Sequence, residues 1–225
     1  VEDGTTVSDH DEAELRQQRS VSLALAPLHH QGIKVNLLDT PGYADFVGDL
    51  RAGLRAADCA LFVVSTAEAI DGSTRMLWAE CAAVGMPRAV VLTKLDHPRS
   101  DYEGTLAACR EAFGEKVLPL YLPVTGADGA TTGLIGMLSG RLFDYSAGSR
   151  TESDPASDDS ARLEAARGEL IEGVIEESED ESLMDRYLGG EEIDQKVLID
   201  DLEQAVAKAS FHPVIPVCAA TGLGT

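Results

Sequence analysis

The sequence predicts an α/β fold: a doubly wound, mostly parallel sheet into which a smaller α+β subdomain is inserted. Three observations carry this expectation. Cys59-Ala60-Leu61-Phe62-Val63-Val64 and Ala89-Val90-Val91-Leu92 are unbroken apolar runs, the texture of parallel strands covered on both faces. Met76, Leu77, Ala83 and Val84 lie between them at helical spacing and stop at Gly85, which makes a strand–helix–strand unit. A further apolar run, residues 213–218, returns only after a long stretch of different texture.

Taken in order, residues 1–18 are polar and charged, with Gly4-Thr5-Thr6 and Ser8-Asp9, and read as a surface loop or short helix. Residues 21–28 and 33–38 flank His30-Gln31-Gly32 and read as an antiparallel hairpin. Asp39-Thr40-Pro41-Gly42 then breaks the chain sharply, and Phe46, Leu50, Leu54 and Ala57 follow at helical spacing. Beyond the two apolar strands, Leu106, Cys109 and Phe113 mark a helix closed by Gly114. Residues 117–124 form a strand interrupted by Pro119 and Pro123, as at an edge or bulge. Two short strands, 134–138 and 141–145, meet at Ser139-Gly140, and residues 146–160 are expected to be a mobile loop. Three helices follow: Leu163, Ala166, Leu170 and Val174 mark the first, Leu183, Met184 and Tyr187 the second, and Leu198, Leu202, Val206 and Ala209 the third. The expected division is therefore a core of residues 1–114, an insertion of 115–211, and a return to the core at 212–225.

Composition narrows the function classes. The 225 residues carry a formal net charge of -21. Such a chain does not grip a phosphate backbone by charge alone, and it suits a basic protein partner. The acid is concentrated in residues 164–201. Cys59, Cys81, Cys109 and Cys218 are far apart with no Cys-x-x-Cys pair, which favours buried free thiols over a zinc site. No apolar run reaches the roughly 18 residues of a membrane span, so no membrane partner is expected. The chain lacks a starting methionine and closes on a loop-like Gly222-Leu223-Gly224-Thr225; both ends are expected to be cuts.

Two short motifs carry chemistry. Asp39-Thr40-Pro41-Gly42 follows a strand, and by itself it is also simply a good turn. A carboxylate at the carboxyl end of a strand faces the crevice where such sheets bind ligands. Asp39 there can hold Mg²⁺ through a water, and Gly42 lets its N–H approach a terminal phosphate. Thr93-Lys94-Leu95-Asp96 ends the strand that begins near Ala89, which is also an ordinary way to leave a strand. The Asp96 carboxylate can accept two hydrogen bonds from guanine, from N1–H and the exocyclic amine, where adenine offers no such donor pair. Charge-assisted bonds of about 1.5–3 kcal/mol each decide between the bases. Lys94 can lay its methylene stem over the base.

Together and in this order the motifs resemble those of translational GTPases of the elongation factor G family. Asp39-Thr40-Pro41-Gly42 resembles the third guanine-nucleotide motif, and Thr93-Lys94-Leu95-Asp96 the fourth, usually Asn-Lys-x-Asp. Cys218-Ala219-Ala220 resembles the fifth, in which the N–H groups of Ala219 and Ala220 would reach guanine O6. Gln18-Arg19-Ser20-Val21-Ser22 is similar to switch I, and Gly4 to Arg19 to its approach. A large insertion between the fourth and fifth motifs is shared with elongation factor G and release factor 3, and elongation factor Tu lacks it. The resemblance implies the phosphate-loop GTPase type of sheet, GTP and Mg²⁺ as ligands, and Ser22 with Asp39 at the metal. It implies a monomeric cytoplasmic factor that hydrolyses GTP on the ribosome for translocation or recycling, or a release-factor-3-like recycler. Expected partners are the sarcin-ricin region of the large-subunit RNA and the stalk protein, the latter met by the acidic face Glu164–Glu181 of the inserted subdomain, where reversing Glu169, Glu172 and Glu176 is expected to weaken association.

The sequence departs from this family pattern in four places. The phosphate loop Gly-x-x-x-x-Gly-Lys-Ser/Thr is absent, since no Gly-Lys pair occurs, so this span is expected to bind GTP poorly, with a gap inside its sheet. Tyr43 stands at the usual catalytic histidine and, with a pKa near about 10, can orient a water without acting as base or cation at neutral pH. Ser22 replaces the usual switch I threonine, and Thr93 the usual asparagine. These changes motivate an alternative: a GTP-dependent ribosome-binding protein with slow or lost hydrolysis.

Overall fold

The computed structural model describes residues 6–126 and 129–224. Residues 1–5, including Gly4 and Thr5 of the expected opening loop, and Thr225 lie outside the described residues. The chain opens with α1 (Glu12–Gln17), started by a capping box. Asp11 accepts from the Ala13 N–H at 2.8 Å, and Glu14 reaches back to the Asp11 N–H at 3.1 Å. Strands β1 (Ala24–His30) and β2 (Ile33–Asp39) form the expected hairpin. Gln31 and Gly32, at φ 47° and 81°, are the two left-handed residues of a tight primed turn, whose twist matches the strands. A 3-10 turn, Ala44–Phe46, leads into α2 (Val47–Leu54).

The core sheet follows from β3 (Ala60–Ser65), α3 (Gly72–Ala83), β4 (Arg88–Thr93), α4 (Tyr102–Phe113) and β5 (Val117–Pro119). Asp71 and Asp101 cap α3 and α4 by accepting from Thr74 and Gly104 N–H groups. The insertion then adds β6 (Tyr121–Thr125), β7 (Thr131–Gly136), β8 (Leu142–Asp144) and β9 (Thr151–Ser153), an antiparallel meander. Helices α5 (Ser157–Ile175), α6 (Ser182–Leu188) and α7 (Gln195–Ala207) follow, and β10 (His212–Pro216) returns to the core, whose parallel order is β3-β4-β10-β5.

Apolar spacing explains the packing. Trp78 of α3 stacks on Phe113 of α4 at 4.3 Å and meets Phe62 of β3 edge-on at 4.9 Å, over Val90 and Val214. Truncating Trp78 to alanine in such a cluster costs about 3–5 kcal/mol. A second core joins Leu118, Leu122 and Ile135 to Leu170, Val174, Leu198 and Phe211, binding α5 and α7 to the strands.

Several expectations need correction. Residues 117–124 are not one strand: Leu120 lies between β5, the edge of the core sheet, and β6, which opens the insertion. The stretch read as a mobile loop, 146–160, contains β9 and the first turn of α5. Ala209 falls beyond α7, in a left-handed turn at φ 57°. Cys59 is exposed, and only Cys81, Cys109 and Cys218 are buried. The 59–64 run is not covered on both faces, because Leu61 and Val63 of β3 are 54% and 67% exposed. The exposure has a structural cause: the β1–β2 hairpin is a separate sheet, and β3 is an edge. The hairpin is tied in by α2, where Gly53 lets the helix approach Thr40 and Arg51 pairs with Glu80 of α3 at 2.5 Å.

Candidate functional site

At the carboxyl end of β4 the backbone turns through Lys94, left-handed at φ 60°. A non-glycine residue holds this conformation only when its surroundings enforce it. Thr66, 2% exposed at the end of β3, does so. Its hydroxyl donates to Thr93 O at 2.9 Å and Lys94 O at 3.1 Å and lies 2.8 Å from Ser100 Oγ. Thr93, Lys94 and Asp96 are thereby presented at the carboxyl end of β4, with Lys94 3.4 Å from Glu68 in an exposed pair. Asp96 is exposed, and its carboxylate holds no hydrogen bond among the described residues.

Strand β10 lies beside β4, and Val217 N–H donates to Leu92 O at 2.7 Å. Cys218 N–H then donates to Leu223 O at 2.8 Å, closing a loop that carries Ala219 and Ala220 outward. Their own N–H groups make no backbone hydrogen bond among the described residues. The structure thus brings Thr93, Lys94, Asp96, Ala219 and Ala220 to neighbouring strand ends. The arrangement is an exposed carboxylate beside two unpaired N–H donors, suited to the edge of a planar, polar ring.

The other group of residues sits at and around the open end of the hairpin. Asp39 ends β2 opposite Ala24 and is exposed. Nothing lies within 4 Å of where a Cβ on Gly42 would stand, so its backbone is open to approach. Tyr43, 52% exposed, has the Arg19 guanidinium 4.7 Å over its ring, a cation–π contact. The Ser22 hydroxyl donates to Glu14 Oε1 at 3.1 Å. Glu14, 1% exposed, also accepts from the N–H groups of Val21, Ser22, His10 and Asp11. Those backbone donors, Val21 first, hold its carboxyl down at about 2. Switch-like residues Val21 and Ser22 are therefore held by Glu14, and Ser20 by Asp9, to whose carboxylate its hydroxyl donates at 2.7 Å. The sequence reading passed over Glu14, although the signal was present as Asp11-x-x-Glu14, a capping box. Thr66 was passed over too, and a lone threonine after a strand carries no such signal.

Asp39 and Asp96 stand on different sheets. A cleft of about 600 Å³ between the core and the insertion is lined by Asp96, Tyr102, Thr125 and Arg162, and Asp39 is not part of it. The expectation of one cavity shared by the two carboxylates is not met in that cleft. Among the described residues no group of three or more His, Cys, Asp or Glu side chains is placed to hold a metal ion.

Residues 1–225 match the family model described as elongation factor Tu GTP binding domain. Relatives named "Elongation factor G-like protein" in two strains of Mycobacterium tuberculosis, CDC 1551 / Oshkosh and ATCC 25618 / H37Rv, are 65% identical over 225 residues. The match takes in all of this chain and 31% of each relative. A crystal structure from Thermus thermophilus superposes with a TM-score of 0.89 at 34% identity, over 99% of this chain and 33% of that one.

Proposed function

Since the chain belongs to the elongation factor Tu GTP-binding domain family, we propose that it holds GTP at the carboxyl ends of β4 and β10, and that the intact protein hydrolyses that GTP on the ribosome to drive translocation or recycling. The observation that carries this reading is the meeting of Thr93-Lys94-Leu95-Asp96 with Ala219-Ala220 on adjacent strands. An unpartnered carboxylate fits guanine N1–H and the 2-amino group, and two unpaired backbone N–H groups fit O6. Lys94 would cover the base. The chemistry of the donor set therefore suits the purine end of the nucleotide. The phosphate end is less complete, because the described residues include no glycine-rich cradle.

Mg²⁺, when bound, would neutralise phosphate charge. Asp39 would hold it through water, and Ser22 would join after releasing Glu14. Tyr43 would orient the attacking water by hydrogen bonding once free of Arg19. Partners in this reading are the sarcin-ricin region and the basic domain of the stalk protein, with a monomer acting in the cytoplasm. A second reading, GTP-dependent ribosome binding with slow hydrolysis, is favoured by one feature: both Tyr43 and Ser22 are engaged, by Arg19 and Glu14.

Ribosome-stimulated turnover of the intact protein tests both. The first reading expects ribosomes to stimulate GTP turnover strongly and ATP turnover not at all. Placing the usual histidine in Tyr43→His should then change the rate less than about tenfold. A slow wild type accelerated by about 10²-fold or more in Tyr43→His, the range of a positioned acid–base group, selects the second reading. Equal turnover of ATP sinks both.

A further inference from the structure

The base-facing loops do not rest on the core sheet alone. Leu95, between Lys94 and Asp96, is 5% exposed and packs in a separate apolar cluster with Leu134, Cys218 and Leu223, at 2%, 2% and 0%. Cys218 and Leu223 bracket the Ala219-Ala220 loop. Leu134 belongs to neither loop: it sits in β7, an interior strand of the inserted sheet, opposite Pro123 of β6 and Phe143 of β8. Tyr121 and Tyr145 of the insertion and Tyr102 of α4 close the cluster's rim. The Tyr102 hydroxyl donates to Tyr121 O at 3.0 Å, a second tie between the segment after Asp96 and the inserted sheet. Gly224 supplies an independent sign of the same contact. It is left-handed at φ 74°, and a Cβ there would come 2.6 Å from Pro216 O and 3.2 Å from Leu134 Cδ1. Only glycine lets the closing loop lie against Leu134.

We propose that the inserted sheet, through Leu134 and the Tyr102–Tyr121 tie, positions Asp96 for guanine, making Leu134 a specificity-determining positioning residue that never touches the nucleotide. The inference rests on the assignment of Asp96 to the guanine edge. Its physical basis is the steepness of paired hydrogen bonds. Two parallel bonds to one carboxylate demand both distance and orientation, and they weaken sharply as the angle opens. Lys94 already holds a sparsely populated conformation, so the turn has a ready way to relax if its apolar footing is removed. Thr66 fixes Thr93 and Lys94 from the core side. Leu95 is the point where the opposite side is fixed, and its footing includes Leu134 of the insertion beside Cys218 and Leu223. A cavity left at Leu134 lets Leu95 settle inward and turns the Asp96 carboxylate off the base.

The test compares GDP with inosine diphosphate, which lacks the 2-amino group and so one of the two bonds to Asp96. Dissociation constants are measured by equilibrium titration on the intact protein. Wild type should prefer GDP by about tenfold or more. Leu134→Ala and Tyr102→Phe should each shrink that preference at least threefold, and Leu134→Met, which refills the cluster, should restore it. General loosening of the protein would weaken both nucleotides alike and leave the ratio unchanged, which overturns the proposal. Should Leu134→Ala not fold, Leu134→Val and Tyr102→Phe read the same ratio. Asp96→Ala separates the two levels. If it leaves the preference intact, the guanine assignment itself fails. If it abolishes the preference while the Leu134 and Tyr102 variants keep it, only the positioning role fails.

Discussion

Arg88 and His212 form a buried pair at the amino ends of β4 and β10, at the opposite ends of these strands from the loops that carry Asp96 and Ala219-Ala220. Arg88 is 6% exposed without a carboxylate partner among the described residues. Its guanidinium donates to Trp78 O at 3.1 Å, lies 4.5 Å over the Trp78 ring, and stands 3.2 Å from His212 Nε2. An acceptor at that nitrogen requires neutral imidazole. Burial, and then the Arg88 charge, push the His212 pKa from 6.5 down to about 4. Because the folded value is depressed, the unfolded chain takes up the proton first as pH falls. Stability is full above about 6.5, declines as pH drops towards 4, and is level in this contribution below that. The loss is on the order of 2 kcal/mol after allowance for residual solvent screening. Thermal melts between pH 7 and 4 should show His212→Gln, which keeps an acceptor without titrating there, declining less steeply than wild type. Parallel curves would remove His212 as the cause. Neither residue was legible as a pair: they lie far apart in sequence, and only the β4–β10 register brings them together. The exposed positions of Asp39 and Asp96 at strand exits were legible, because a carboxylate directly after an apolar run, or in the turn that leaves one, is a local pattern. Glu14 and Thr66 were not, because their roles consist of partners supplied by the fold.

Helix α5 shows how much a periodic pattern can and cannot tell. Its apolar positions Leu163, Leu170 and Val174 are buried as the spacing requires. Its acidic positions look equivalent in sequence and are not equivalent in space. Glu169 pairs with Arg110 at 2.9 Å, and Glu176 with Lys116, so both fasten the insertion to α4 and the start of β5. Glu164 and Glu172 are exposed and form no ion pair among the described residues. Under the stalk-binding reading, these two carry the contact to a basic domain. Reversing both, Glu164→Lys with Glu172→Lys, should weaken association several-fold at about 0.05 M salt and much less at about 0.5 M. Titration against the stalk domain at the two salt concentrations checks this. No change at low salt would assign these carboxylates to solvent. Reversing Glu169 or Glu176 is the poorer probe, since it also breaks an internal pair. Strand boundaries in the insertion were harder to read than its helices. A three-residue strand such as β9, exposed throughout, lacks the alternation that marks a half-buried strand.

The molecule is built around a discontinuity. Two sheets that end in Asp39 and Thr93 are not hydrogen-bonded to each other, and the edge of β3 between them exposes Leu61 and Val63. An apolar strand with free edge groups is a place for another strand. The lack of a Gly-Lys pair in the sequence raised the expectation of a gap in the sheet; the structure shows the hairpin and the core as separate sheets, with β3 at an edge. A phosphate-loop strand of the kind the family resemblance implies would suit this open edge of β3, and nucleotide binding would then draw on it together with Asp39, Gly42, Tyr43 and the loops after β4 and β10. GDP titrated by calorimetry into residues 1–225 alone, and into the same segment extended by a phosphate-loop strand of the family's kind, tests this most directly, with ADP as control. Binding in the micromolar range or tighter, for GDP alone and for the extended segment alone, is the expected result. Micromolar GDP binding by residues 1–225, or equal binding of ADP by the extended segment, would contradict it.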